Sequence, residues 1–372
     1  MVKSKICHLS SAHKSNDMRI FHKECTTLAN NGYDVTLIAI GPSDISQNVK
    51  RISFPEMSRI RRFIFSRSLM FKLALKVDAD IYHLHDPELL LLAHRLKKKG
   101  KKVIFDSHEN VGEQILFKRY LPVLIRCIIS NAYKYFEKSV VKRIDGVLYV
   151  TPIQRVNFLN IQKNSVMVTN FPLLSSQKDE ELSHSCVNRT GDIKRICFAG
   201  GVSDQWCHEI IIKSILQIEG IKYSFAGPMQ DKYLQPFLQI ESDRIEYLGL
   251  LDQKGVADLY MSSSCGIALL SYDTQVGHEG TLGNTKLFEY MKYRLPIICS
   301  DLTLWKEIVD TYKCGIAVNP TDSDEIVRVI KFLIENPEIS IQMGNNGYKA
   351  YREVFNWNTQ IPNLLEVYTN AI

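Results

Sequence analysis

The sequence predicts an α/β protein made of two doubly wound, Rossmann-like domains in tandem, facing a cleft. Three observations lead there. Short apolar runs rich in Val and Ile alternate with longer stretches of helical periodicity, the grammar of a parallel sheet covered on both faces. The alternation stops once, at the polar and weakly periodic stretch "LLSSQKDEELSHSCVNRTGD", and then restarts. The chain has 372 residues, enough for two domains of ordinary size.

In the first half the expected strands are "KICHLS", "DVTLIAI", "VKRISF", "IYHLH", "KVIFDSH", "GVLYVT" and "VMVTNF". Helical segments lie between them, among them Met18 to Asn30 and Pro87 to Lys98. Gly32 and Gly100 each follow such a helix, where a terminal glycine is favoured. In the second half the strands are "KRICFAG", "IKYSFAG", "IEYLG", "CGIALLS", "PIICSD" and "GIAVNP". The boundaries drawn are a first domain over 1–172, a linker over 173–192, a second domain over 193–352, and a C-terminal helical segment over 353–372. That last segment is expected to pack back on the first domain, with Pro362 bending it. In domains of this kind ligands bind at the carboxyl ends of the strands.

Composition narrows the class. The 45% hydrophobic and 23% charged fractions are those of a soluble globular protein. No apolar run reaches the roughly 18 residues of a membrane span, and the N-terminus lacks the apolar core of a signal peptide. The nine cysteines stand singly, with no C-x-x-C pair, and suit a reducing cytoplasm. The net charge of +6 is unevenly placed. Arg59 to Lys76 and Phe117 to Arg143 interleave cations with apolar residues, as a helix on an anionic membrane surface does. A solvated basic face over a core face explains the same pattern. No nucleic-acid-binding module is present. Walker, H-E-x-x-H and G-x-S-x-G sequences are absent, and no G-x-G-x-x-G follows the first strand, which argues against a nicotinamide cofactor. Asp78 to Asp80 and Asp322 to Asp324 mimic a metal-binding D-x-D, but one leads into a strand and the other begins a helix.

Three segments, "IYHLHDPELLLLAHRLKKKGKKVIFDSHE", "FAGGVSDQWCHEIIIKSI" and "NTKLFEYMKYRLPIICSD", resemble bacterial retaining glycosyltransferases of family 4 (group 1), which have the GT-B fold. The start, "HLSSAHKSNDMRIFHKECTTLANNGYDVTLI", and the tail, "FNWNTQIPNLLEVY", fit as well. The resemblance implies transfer of a sugar from a nucleotide-diphosphate donor, UDP- or GDP-linked, with retention and without a metal or other cofactor. It assigns the acceptor to the N-terminal domain and the donor to the C-terminal one. It also implies a cytoplasmic setting, at the inner face of the membrane, and a saccharide or lipid-linked acceptor in surface polysaccharide synthesis. A sugar-nucleotide epimerase of the same fold and a non-catalytic nucleotide-sugar binder are the alternatives.

The donor candidates centre on "EGTLGNTKLFEYMKYRLPIICSD". Gly280 and Gly283 permit tight turns. Asn284 or Thr285 can cap the following helix, whose N-terminus suits an anion, and Lys286 adds a point charge for a phosphate oxygen. Glu289 lies about one turn further on, on the face of Thr285 and Lys286. It matches the second Glu of the family's E-x7-E motif, which holds the ribose. An exposed Lys–Glu pair on an ordinary helix is the other reading of that spacing. The first Glu of the motif would fall on Thr281, so Glu279 or Thr281 is left to meet the sugar. In "FAGGVSDQWCHE", Gly201 and Trp206 stand in the neighbourhoods where many family members carry an Arg and a Lys. Gly200 and Gly201 still allow backbone amides near a phosphate, and Trp206 can equally be a core residue. Lys286 is then the cation that makes up the difference.

On the acceptor side, His108 in "DSHEN" matches the family's active-site histidine, with Glu109 beside it. His85 and Asp86 of "HLHDPE" line the same crevice, though Asp86 can equally be the N-cap of the next helix. His13 and Arg19, in "SAHKSNDMR", are placed to meet an anionic acceptor.

Overall fold

A computed structural model describes residues 4–108, 110–118, 120–174, 194–229 and 242–372. The chain divides into two compact units, Met1–Asn170 with Gln360–Ile372, and Phe171–Thr359.

The first unit holds an eight-stranded sheet. In chain order its strands are β1 (Lys5–Lys14), β2 (Asp34–Ile40), β3 (Asp44–Ser46), β4 (Val49–Phe54), β5 (Ile81–Leu84), β6 (Lys102–Ser107), β7 (Gly146–Tyr149) and β8 (Ser165–Met167). Their order across the sheet is β3-β4-β2-β1-β5-β6-β7-β8. All pairs are parallel except β3–β4. Chain order reverses at β1, which pairs with β2 on one side and β5 on the other, so a crevice opens at the carboxyl ends of β1 and β5. The buried faces of the strands, with Leu9, Tyr82, Leu84 and Phe105, pack against Leu89 and Phe71 of the crossover helices.

The second unit holds a six-stranded sheet of β9 (Lys194–Ala199), β10 (Ile221–Ala226), β11 (Ile245–Tyr247), β12 (Cys265–Ala268), β13 (Ile297–Ser300) and β14 (Gly315–Val318). The order β11-β10-β9-β12-β13-β14 is parallel throughout and reverses at β9. Every strand expected from the sequence is present, because each is a Val- or Ile-rich run closed by a turn residue.

Four features differ from the sequence expectation. The short β3 forms a hairpin with β4 through Gln47 and Asn48, both with positive φ, a mirror-image turn without its usual glycine. The first unit ends at Asn170 instead of 172, because the Phe171 ring packs 4.7 Å from Phe288 and 5.4 Å from Phe355 in the second unit. The second boundary falls at Gln360 instead of 353. Tyr351 donates to the Leu173 carbonyl and the Trp357 amide to that of Pro172, keeping this stretch with the second unit. From Gln360 the chain belongs to the first unit: Gln360 Oε1 accepts from the Thr169 amide, and the Val367 carbonyl from Asn164. Pro362 lies in the first turn of the helix Ile361–Ala371, where its missing N–H costs nothing, so it opens the helix and does not bend it. Except for Leu173 and Leu174, the expected linker lies outside the described residues. Among the described residues no helix is long and apolar enough to cross a membrane, and eight cysteines are free, most of them buried.

Candidate functional site

Each unit places chemistry-bearing residues at its own strand ends. In the first unit, strand alternation puts His83 and His85 on one face of β5 and its extension, and Asp106 and His108 on one face of β6 and its extension. Asp106 is the hub. One carboxylate oxygen accepts from Arg19 Nη2 at 2.7 Å and the other from Arg19 Nε at 2.8 Å. His85 Nδ1 lies 3.3 Å and His108 Nδ1 3.2 Å from Oδ2. Burial by itself would lift this carboxyl, but Arg19 and then His108 hold it well below the usual carboxylate range. Neighbouring Glu24 is pushed well above its usual value, first by burial and then by Asp106.

Arg19 was expected to meet an anionic acceptor. The structure corrects this: Arg19 is 6% exposed, forks onto Asp106, lies 3.1 Å from Glu24, and donates to the Val168 carbonyl at 3.1 Å. Asp17 accepts from the Arg19 and Ile20 amides and fixes the start of the helix that turns Arg19 inward. A second buried set surrounds this pair. His8 Nδ1 is 2.9 Å from His85 Nε2, and His83 Nδ1 is 2.6 Å from the Tyr368 hydroxyl. Burial keeps His8, His83 and His85 below the usual imidazole value. Ligand atoms of His8, Glu24, His83 and His85 lie within 4.8 Å of one another, as do those of His85, Asp106 and His108. These are the described groups that could hold a cation, and hydrogen bonds already join several of them.

Asp86 occupies the N-cap position of the following helix, but its side chain makes no capping hydrogen bond there. Its Oδ2 accepts from Ser10 Oγ at 3.0 Å and from the Ser11 and Ala12 amides, and Oδ1 lies 3.1 Å from His13 Nδ1. Burial opposes ionisation, but the His13 and Ser11 hydrogen bonds hold its pKa at about 2. The carboxylate therefore shapes the irregular C-terminal end of β1. His13 meets His108 edge-on, with ring centres 5.3 Å apart. His13, His85, Asp86, Asp106 and His108 together line a cavity of about 560 Å³. Glu109 lies outside the described residues.

In the second unit the loops after β9 and β10 are joined by hydrogen bonds from Gly200 N to the Ala226 carbonyl and from Val202 N to that of Pro228. Their approach requires glycine. A Cβ on Gly227 would fall 1.9 Å from the Gly200 oxygen, and a Cβ on Gly200 would fall 2.5 Å from Lys286 Cε and 2.6 Å from Nζ. The Lys286 ammonium thus rests directly over the Gly200 backbone. It lies 3.8 Å from the Trp206 ring centre and 5.0 Å from that of Phe198, and it donates to Asn284 Oδ1 at 3.3 Å. Burial pushes its pKa down to about 7, and no described carboxylate offsets that. Behind Phe198, His208 donates to or accepts from Tyr223 at 2.8 Å, and burial followed by Lys286 brings it to about 3.

The remaining donor candidates take varied places. Trp206 is a core residue stacked 6.4 Å from Trp305, and it is also the platform for Lys286. The Trp305 indole donates to the Thr281 carbonyl at 2.7 Å, and Thr281 Oγ1 accepts from the Gly283 amide. Thr281 therefore shapes the loop. Gly280 needs its positive φ, and a Cβ there would press on Leu302. Glu279 is exposed, and its carbonyl accepts from the Leu304 amide. Neither Asn284 nor Thr285 caps the helix Lys286–Lys292 with its side chain, because Asn284 turns to the lysine. Gly201 and Glu289 are half-buried. Glu289 sits one turn after Lys286, its amide donating to the Thr285 carbonyl, and its charge adds to burial in raising the Tyr260 hydroxyl.

Sequence reasoning did not single out Asp106, His8, His83 or Tyr368. Period-two spacing to His108 and His85 could have marked Asp106 and His83; nothing local points to Tyr368.

Comparison with known proteins covers most of the chain. Residues 19–166 match the family described as Glycosyltransferase Family 4, and residues 189–350 the family described as Glycosyl transferases group 1. The MMP alpha-(1->4)-mannosyltransferase of Mycolicibacterium hassiacum is 32% identical over 85 residues, 23% of this chain and only 21% of that relative's length. Among solved structures, sucrose-phosphate synthase of Thermosynechococcus elongatus superposes with a TM-score of 0.75 at 14% identity, covering 99% of this chain and 98% of that one. HepE of Anabaena, solved with UDP-glucose, gives 0.72 at 12% identity over 99% and 100% of the two chains. WaaG, a glycosyltransferase involved in lipopolysaccharide biosynthesis, gives 0.68 at 10% identity over 97% and 98%.

Proposed function

Because the chain belongs to the family 4, group 1 glycosyltransferases and has their two-domain Rossmann-like GT-B fold, we propose that it carries a sugar from a nucleotide-diphosphate sugar to a saccharide or lipid-linked acceptor, with retention of anomeric configuration. Assembly of a bacterial surface polysaccharide is the setting, with the protein at the inner face of the membrane. The donor is UDP- or GDP-linked; the UDP-glucose held by HepE favours UDP, and the role of WaaG in lipopolysaccharide synthesis favours a surface glycan.

One observation carries the reading. Lys286 holds an ammonium among aromatic faces and above bare glycine backbone, and burial has lowered its pKa to about 7. Among the described residues a cation so placed has no carboxylate counter-charge, and a diphosphate supplies one. The charge that develops on the departing diphosphate is then met by a group already in position. Glu289, one turn along the helix, accepts hydrogen bonds from the ribose hydroxyls. On the acceptor side, His108 is held by Asp106 and orients the attacking hydroxyl. A departing phosphate oxygen takes that hydroxyl's proton, so the reaction needs neither a protein nucleophile nor a metal ion.

A thermal-shift screen with UDP, GDP, dTDP, ADP and CMP tests the donor assignment, since a ligand that binds the native state raises its melting temperature. UDP or GDP should give the largest shift. No shift with any nucleotide at millimolar concentration would overturn the proposal.

A further inference from the structure

The cavity of the first unit changes character along its lining. His85, Asp86, Asp106 and Ser107 are polar and almost fully buried. Leu91, Tyr120 and Ile129, on the same lining, are apolar or aromatic and well exposed, Tyr120 by 71%. On the helix Val123–Val141 the residues Ile129, Tyr133 and Phe136 recur at helical spacing and form one wall. The apolar surface does not end at the wall. It continues around the first turns of that helix, where Leu124 is 73% and Ile128 60% exposed. A continuous exposed apolar face of this kind marks a binding surface. Lys118 contributes a cation to the lining, while Arg62 is paired with Glu88 at 2.5 Å.

We propose that this cavity and helix face form one site for an amphiphilic acceptor. Its hydroxyl-bearing head lies against the buried histidine end, its anionic linkage meets Lys118, and its apolar chain leaves past Ile129 and along Leu124 and Ile128. A free saccharide would leave the apolar wall wet, whereas an amphiphile uses both ends. The inference rests on the transfer reading above and selects the lipid-linked acceptor over the free sugar.

Isothermal titration with dodecyl phosphate below its micellar concentration, against ethyl phosphate, tests it without a donor. Burial of a methylene multiplies affinity about fourfold, so the long chain should bind at least about tenfold more tightly. Leu124→Asp and Ile128→Asp, both at exposed positions, should each remove most of that advantage. Val156→Asp, at an exposed apolar position on the helix Pro152–Phe158, should leave it intact. Equal affinity for the two phosphates, or a chain-length advantage that survives the Leu124 and Ile128 changes, would overturn the inference. A parallel UDP and GDP titration separates the two readings. Nucleotide binding with no chain-length advantage defeats the amphiphile site alone. Chain-dependent binding without any nucleotide binding supports the amphiphile site and defeats the transfer reading.

Discussion

The ammonium of Lys286 lies 3.8 Å from the centre of the Trp206 ring, at cation–π distance. An aromatic face attracts a cation but does not neutralise it, so the site stays positive while burial presses the lysine toward its neutral form.

That pressure fixes a sign for stability. The pKa of Lys286 in the folded protein is about 7, below the unfolded value, so between the two the unfolded chain binds more protons. Its cost is full below pH 7 and fades as pH rises toward the unfolded value. Lys286→Met should therefore melt at a higher temperature than the wild type at pH 6, with the gap closing by pH 10. Melting curves across that range check it; a variant that melts lower at pH 6 would show that the cation stabilises the fold.

Glu289 and Lys286 divide the donor between them in this account. Glu289→Ala should weaken binding of a nucleoside diphosphate about tenfold or more, the cost of a lost charged hydrogen-bonding partner, while leaving affinity for inorganic pyrophosphate unchanged. Equal losses for both ligands would place Glu289 on the phosphates or in the scaffold.

Asp106 binds Arg19 through both oxygens inside the first unit and also orients His85 and His108. Asp106→Ala leaves the Arg19 guanidinium with Glu24 as its only remaining carboxylate partner among those observed. Breaking a buried pair costs about 3–5 kcal/mol, which should lower the melting transition of the first unit by about 10 °C. Nucleotide binding, which the proposed reading assigns to the second unit, should survive at temperatures below that transition. Differential scanning calorimetry with and without nucleotide reads both.

The helix Arg59–Val77 exposes Ile64 and Phe65 beside the cation Arg61. Liposomes rich in anionic lipid should carry the protein upward in flotation at low salt and release it at high salt, because screening weakens surface charge attraction. Absence from the floated fraction at low salt would remove the membrane-surface reading.

Much of this architecture is legible in the sequence because buried parallel strands are written as Val- and Ile-rich runs. β3 is not, since it is three residues long and turns on Gln47 and Asn48 without glycine. Lys286 is legible as a cation after a glycine-spaced loop, but its seat on Trp206 is not, because the two residues lie on separate crossovers and meet only when β9 and β12 pair. Arg19 misled for a related reason. A basic residue in a polar loop reads as solvent-facing until the fold brings a buried carboxylate, Asp106, beneath it.

The proposed grip of Lys286 on a diphosphate is tested by calorimetric titration of UDP and GDP at pH 8, in buffers of different ionisation enthalpy, for the wild type and Lys286→Met. The wild type should bind one of the two and take up close to one proton, because the bound anion restores the charge of a lysine that is mostly neutral above pH 7. Lys286→Met should bind about a hundredfold more weakly with no such uptake. Equal affinity and equal proton uptake in the two proteins would contradict the assignment.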